Sequence, residues 1–407
     1  MAHSQPNMGQ LTEHLFRETY QEVFSSLVVK YGTAHIDLIE DALQEAFYKA
    51  LKSWKYDNYP ENQKGWLFTV AKNHTINVLR REAKSTTFDA VNFIGEENSI
   101  APEQNDQLRL LLACSKLNVG AQAKLIFTLK SICGFGVDEI ANSLQISKEN
   151  IYKQLQRSKR KLRELPKTYF TSEIALKFTS EELLYIELII YFMFNEGYDS
   201  FSSTSKKAIH KDICLEAVRL GKSLLKFSDK ETTKHLLSLF YFHMARFESR
   251  ISTDGVFVSL REQDRKLWDG TLIKIGFDYL EKPQNLNRYY IEALIASIHV
   301  SAATFTQTPW EKILKLYDML LSLNDSPIIR LNRAICLFEL GKIAAGNQEL
   351  EAVKEVLEDS YMYYSVSMAE YLEDKNPELS RFWYQKSLNN TKQDFRKNLI
   401  KNKMGKP

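Results

Sequence analysis

The stretch VDEIANSLQISKENIYKQLQRSKRKLREL, residues 137–165, decides how the chain reads. Its apolar positions Ile140, Ala141 and Leu144, then Ile151, Leu155 and Leu162, recur at helical spacing. The pattern predicts a short helix VDEIANSL, a turn QIS and a longer helix from Lys148, the proportions of a helix-turn-helix. Ser147 suits the N-cap of the second helix, because its hydroxyl accepts from an orphan backbone N–H of the first turn. The seam Ile151, Leu155, Leu162 packs on the first helix and leaves Lys148, Asn150, Tyr152, Lys153, Gln156 and Arg157 to share exposed faces. Amide and basic side chains near the start of such a helix read base edges in the major groove. The later run Arg157, Lys159, Arg160, Lys161 and Arg163 suits phosphates. The bland alternative is a solvated basic helix face.

Charge supports the sharper reading. Residues 108–166 hold 11 basic and 4 acidic side chains, nearly all of the excess behind a net charge of +3, so the positive field is local. Just upstream, 84–107 has 1 basic and 5 acidic side chains, few helix formers and Pro102, and reads as a linker. Helical periodicity extends through Leu108, Leu111, Leu112, Leu117, Ala123, Leu125, Ile126 and Leu129. It also runs through Leu15, Phe16, Tyr20, Phe24 and Leu27, then Ile36, Ile39, Leu43, Phe47 and Leu51, then Trp66, Leu67, Val70 and Leu79. Within 407 residues there are only 15 Gly and 9 Pro, too few for the turns of an all-β chain, and the expected class is all-α. The expected division is 1–83, the linker 84–107, 108–166, and a helical array over 167–407.

Other classes fall away. Cys114, Cys133, Cys214 and Cys336 form no CxxC or Cys/His cluster, so neither a zinc site nor a disulfide framework is expected. The opening MAHSQPNMG lacks the basic start and apolar run of a signal peptide, and the apolar stretch 183–194 is short and broken by Glu187. A cytoplasmic protein without a membrane role is expected. HExxH, GxxxxGK[ST] and GxSxG are missing and the eight histidines are scattered, which argues against an enzyme, a metal or a cofactor. His235 and His243 read as packed or surface residues.

Two further strings are recognisable. IEDALQEAFYKALKSW (39–54) resembles the core-polymerase-binding helix of extracytoplasmic-function RNA polymerase sigma factors, and GWLFTVAKNHTINVLRRE (65–82) resembles the next helix of that family, which contacts and helps melt the promoter minus-ten element. The helix-turn-helix stands where that family reads the minus-thirty-five element, and the match covers residues 11–165. The resemblance implies that Glu40, Asp41, Gln44, Glu45 and Phe47 lie at or support the interface with core RNA polymerase. Lys72, Asn73, Asn77, Arg80 and Arg81 would face promoter DNA, with Tyr56 and Tyr59 placed to stack on an unpaired base. Asn77 departs from the aspartate often found there. Phe47, Trp66, Leu67 and Phe68 also fit a plain core role.

The C-terminal half carries a weak repeat that places Ala334 and Ala369 in register 35 residues apart, the period of a tetratricopeptide-type helix pair. It resembles the tetratricopeptide-like extension of one subgroup of these sigma factors at YFMFNEGY (191–198), LREQDRKLWD (260–269), IEALIASIH (291–299) and SPIIRLNRA (326–334). Polar residues there, including Asn195, Glu196, Gly197 and Tyr198 of the NEGY string and Glu262, Asp264, Arg265, His299, Asn332 and Arg333, either line a groove for a regulatory protein or ligand or fix helix packing. The resemblance implies a sigma factor that binds core RNA polymerase and double-stranded promoter DNA and performs no covalent chemistry. The alternative is an ordinary helix-turn-helix regulator on a helical scaffold.

Overall fold

Val23, Phe24, Leu27, Val28 and Tyr31 are buried along one stripe of α1 (Met8–Tyr31), the spacing that gathers side chains on one face of a helix. Gly32, at φ 91, ends that helix, and its N–H still reaches the Val28 carbonyl at 2.8 Å. Helix α2 (Ile36–Ser53) buries Ile36, Ile39, Leu43, Ala46, Phe47 and Ala50. Helix α3 (Gln63–Ser85) adds Leu67, Phe68 and Ala71, and the three helices pack together. The structure is a computed structural model and describes residues 8–54, 60–85, 105–144, 146–165, 178–199, 209–252, 257–358, 361–373, 375–391 and 393–404. Tyr56, Tyr59 and nearly all of the acidic linker lie outside the described residues.

Helix α4 (Asp106–Ser115) leads to α5 (Ala121–Phe127), which widens into a π turn over Thr128–Ile132. Helices α6 (Val137–Leu144) and α7 (Lys148–Arg163) follow. Both begin where the apolar periodicity and the serine place them. Ser147 caps α7, accepting from the Asn150 N–H at 3.3 Å. The chain continues through α8 (Ser180–Tyr198), α9 (Lys211–Leu225), α10 (Glu231–Met244), α11 (Gly270–Tyr279) and α12 (Arg288–Ser301). It closes with α13 (Trp310–Leu323), α14 (Pro327–Glu339), α15 (Ile343–Leu357), α16 (Met362–Leu372), α17 (Pro377–Asn390) and α18 (Asp394–Met404). The fold is all-α, as expected; among the described residues the β pairing is an isolated bridge between Ile251 and Phe257. None of the described helices is long and apolar enough to cross a membrane.

The helices form two compact units. The first comprises Met1–Met193 and Leu215–Ser228. A buried polar seam runs through it: Gln21 donates to the Cys133 carbonyl at 2.6 Å and accepts from Gln107 at 3.1 Å, while the Ser26 hydroxyl donates to Asp106 at 2.6 Å. Two segments downstream of Pro166 complete this unit. Tyr185 shares a 2.6 Å hydrogen bond with Thr128, Glu182 pairs with Lys116 at 3.3 Å, and Arg219 bridges Glu216 and Gln107.

The second unit comprises Phe194–Cys214 and Asp229–Pro407. Here α14 pairs with α15, and α16 with α17, as successive helical hairpins. Ala334 and Ala369, the residues in register 35 apart, are both fully buried in one core with Leu350, Tyr364, Trp383 and Ile400. A neighbouring core gathers Ile291, Trp310, Ile313, Leu320 and Leu337. All four cysteines are free and buried. Burial pushes the Cys114 and Cys336 thiols up to about 12, so neither is a reactive thiolate near neutral pH.

Gly197 permits a close approach in the second unit. A Cβ there would meet Cys214 Sγ at 2.8 Å and the His210 carbonyl at 2.9 Å, and the Gly197 carbonyl accepts from the His210 N–H at 2.7 Å. Overpacking of this kind costs about 1–3 kcal/mol, so Gly197→Ala is expected to lower the melting temperature by several degrees in a thermal scan. An unchanged melting temperature would show that α9 has room to withdraw.

Candidate nucleic-acid and polymerase interface

Helix α2 buries one face and exposes another. Asp37, Asp41 and Gln44 are exposed, Glu40 and Glu45 half-buried, and Glu45 pairs with Lys49 at 3.4 Å. Phe47 is 5% exposed and belongs to the core, so of the five polymerase-facing candidates it supports the helix from beneath while the other four face outward. On α3, Asn73, Asn77, Arg80 and Arg81 are exposed and Lys72 is half-buried, while Leu67, Phe68, Ala71 and Thr75 pack inward. Trp66 is half-buried, its ring edge-on to Trp54 at 5.3 Å. This helix thus presents amides and guanidiniums along one side and hydrocarbon along the other.

Helix α7 has the same two-sided character. Ile151, Leu155 and Leu162 are buried, and so is Ser158, whose hydroxyl donates to the Ala123 carbonyl at 3.2 Å. Lys148, Asn150, Tyr152, Lys153, Gln156 and Arg157 are all exposed, Tyr152 by 55%. Two of them already have partners. Lys148 pairs with Asp138, whose hydrogen bond holds the ammonium above its ordinary value, and the Asn150 side-chain oxygen accepts from Gln154 at 2.9 Å. Lys161 is half-buried and pairs with Glu164 at 2.8 Å.

The tertiary structure adds a contact that no local pattern announces. Lys159 reaches Glu40 at 2.5 Å and Asp37 at 3.3 Å, and Arg163 pairs with Asp37. Two members of the phosphate-suited run on α7 are therefore held by acids of α2, one of them a polymerase-binding candidate. Together with Lys153, Gln156, Arg157 and Arg160, the groups Asp37, Lys159 and Arg163 line a cleft of about 720 Å³. Five cations against one carboxylate give it a strongly positive lining. Asp37 was missed by sequence reasoning; its place in the first turn of an acidic helix was the available signal, and its partners lie more than 120 residues away.

In the second unit the NEGY string is packed rather than displayed. Glu196 is 8% exposed, Gly197 lies against the start of α9, and the Tyr198 ring sits 4.7 Å from His243 and 3.5 Å from the Arg250 guanidinium. His235 is fully buried and bonds the Glu281 carbonyl at 2.8 Å, a packing role. Arg333 joins Asp318 and Glu349, each at 2.8 Å.

Comparison with known proteins divides the chain in a similar way. Residues 15–85 match the family described as sigma-70 region 2, and residues 183–284 match a family of unknown function, DUF6596. An uncharacterized protein of Rhizobium meliloti is 29% identical over 344 residues, covering 81% of this chain and 80% of that one. The RNA polymerase sigma factor YlaC of Bacillus subtilis is 33% identical over 72 residues, covering 18% of this chain and 40% of YlaC. No solved structure matches. Helices α1 to α3 therefore form a sigma-70 region 2 domain, and with the likeness to YlaC this supports placing the protein in the sigma-70 family, in a sigma-factor-like role.

Proposed function

We propose that the protein is a sigma factor of the extracytoplasmic-function type that directs core RNA polymerase to its promoters in the cytoplasm. The observation that carries the reading is the sigma-70 region 2 match over helices whose two polar faces differ: acids and an amide on α2, amides and guanidiniums on α3. Asp41, Gln44 and Glu45 dock on polymerase, with Glu40 at the edge of that surface. Lys72, Asn73, Asn77, Arg80 and Arg81 meet the minus-ten element. Helices α6 and α7 act as the helix-turn-helix that reads the minus-thirty-five element, with Lys153 and Gln156 toward bases and Arg157 and Arg160 toward phosphates. The protein performs no covalent chemistry of its own, and residues beyond 229 form a tetratricopeptide-like regulatory extension.

In the free chain, α7 is latched to α2 through Lys159, Arg163, Asp37 and Glu40. The groups are partly solvated, with side chains 20–52% exposed, and pairs of this type contribute roughly 0.2–1 kcal/mol each. Three such pairs amount to a weak latch, which promoter phosphates and polymerase together displace. The latch also screens the acidic surface of α2 until then.

Asp41→Ala combined with Glu45→Ala should weaken binding of core polymerase at least tenfold in a fluorescence titration without loss of helicity, since a desolvated charge contact at an interface is worth about 2–5 kcal/mol. A protein that is merely a repressor or activator on a helical scaffold would show no such affinity to lose. Full affinity in this double variant would remove the main support for the sigma reading.

Base and phosphate contacts should separate in DNA-binding assays. Replacing Arg160 with Ala should weaken all upstream sequences alike and lower the salt slope by about one unit, whereas Gln156→Ala or Lys153→Ala should relax preference at one or two base pairs. The same uniform loss from both groups would show that α7 is oriented differently.

Asp37→Ala tests the latch. It releases Arg163 and deprives Lys159 of one of its two partners, so binding to a minus-thirty-five duplex should tighten and its salt slope should steepen by about one to two units. Weaker DNA binding by this variant, at unchanged helicity, would mean that Asp37 orders α7 for DNA rather than withholding it.

A further inference from the structure

Three arginines of the second unit are withdrawn from water without a carboxylate to meet them. Arg250 is 4% exposed and Arg246 9%, while Arg265 is half-buried, and none of the three forms an ion pair among the described residues. Four acids of these segments are engaged elsewhere. Asp199 holds Arg396, Glu248 holds Lys211, Asp264 caps the turn at Lys266, and Asp269 caps α11. Taking a guanidinium out of water without an anion is unfavourable unless something replaces the lost solvation.

Aromatic rings supply part of the replacement. The Arg250 guanidinium lies 3.5 Å from the Tyr198 ring centre and 4.7 Å from that of Phe257, and Arg265 and Arg246 lie 4.5 and 5.8 Å from that of Trp268. Rings of this kind cover the flat faces of guanidiniums and leave the N–H edges to other partners. Those edges are only partly used. Arg246 donates through Nε to Gln263 at 3.1 Å, Arg250 through Nη1 to the Tyr198 carbonyl, and Arg265 through Nη1 to the carbonyls of His299 and Ala302, both at 2.6 Å. The buried Nη2 of Arg265 has no hydrogen-bond partner, nor does the buried Nδ1 of His243 or of His299.

The five groups feel one another. Burial, followed by the charges of Arg246 and Arg250, holds His243 well below its ordinary value, and burial with Arg246 and Arg265 brings His299 down to about 3. Burial also lowers Arg246, with Arg250 and Arg265 adding to the effect against the opposing pull of Tyr198. The histidines are thus neutral near pH 7, and each can offer an N–H where it has no acceptor. Folding has assembled three permanent cations and two neutral imidazoles, from α10, the segment after it, the Arg265–Leu267 turn and α12, with donors left over and no ion pair among the described residues.

We propose that this cluster is a binding site for an oxyanion, a phosphate- or carboxylate-bearing small molecule gripped by the edges of Arg246, Arg250 and Arg265. A guanidinium fork matches two oxygens of either group, and an anion enclosed by three of them replaces the missing countercharge. Arg265, the most exposed of the three, is the entrance. Apart from His299, the cluster lies in the stretch that matches the family of unknown function, for which the site supplies a binding activity.

The test uses the full chain, without polymerase or DNA, so its failure leaves the sigma-factor reading untouched. Thermal scans with sodium phosphate, glycerol 3-phosphate or malonate, each against sodium chloride of equal ionic strength, should show a saturable rise in melting temperature with at least one of them, since a ligand bound only by the folded state stabilises it by mass action. The oxyanion that acts distinguishes phosphate from carboxylate. Arg265→Gln should raise the half-saturating concentration at least tenfold. In the wild-type chain, the same ligand should protect Arg265 from phenylglyoxal, read by peptide mass mapping, which needs no variant to fold. No rise beyond the chloride control with any of the three, or a rise without protection of Arg265, would overturn the proposal.

Discussion

The buried contact of Gln21 with the Cys133 carbonyl and Gln107, beside Ser26 on Asp106, is the constraint on which the first unit depends. These groups are almost wholly out of water, and a buried amide or carboxylate without its partner costs more than the net gain of an ordinary hydrogen bond. Each must therefore meet its mate, and that requirement sets α1 against α4 and the π turn in one register. Hydrophobic burial alone would let these helices slide. The π turn then delivers the chain to α6 and α7 at a defined place.

That placement gives α7 its double character. Its apolar seam is consumed by the core, while its basic run is divided between a positively lined cleft and ion pairs with the first turns of α2. The forces differ in kind. Burial of Ile151, Leu155 and Leu162 is short-ranged and insensitive to salt, whereas the pairs of Lys159 and Arg163 lie in partly solvated surroundings and weaken with ionic strength. A helix fixed by its seam and only loosely held by its charges keeps its shape when those charges change partners.

The second unit solves the problem of buried polarity differently. Where the first unit matches amide to carbonyl, the second stacks guanidiniums on Tyr198, Phe257 and Trp268 and leaves donor edges over. Carboxylate partners would have closed that account within the chain. The tight fit of Gly197, next to Tyr198, against Cys214 shows that the chain beside the cluster is closely packed, so the unused donors belong to a defined place and not to a loose interior.

Much of this was legible in the residues. The all-α class, the bounds of α6, the start of α7, the Ser147 cap and the buried register of Ala334 with Ala369 follow from 3.6-residue periodicity, few glycines and prolines, and the chemistry of a hydroxyl before a helix. These are local properties, encoded within about ten residues of where they act. Exposure of Lys153 and Gln156 followed from the same patterns, and that of Asn73, Asn77 and Arg80 from the resemblance of their helix to one of a sigma factor. Tertiary structure decided what joins distant parts of the chain. It returned Tyr185 and Arg219 to the N-terminal helices, joined Asp37 to Lys159 and Arg163, and drew Arg246, Arg250 and Arg265 together with His299. A charged residue carries the same local signature whatever partner it finds, because its pairing depends on how helices far apart in sequence come to pack.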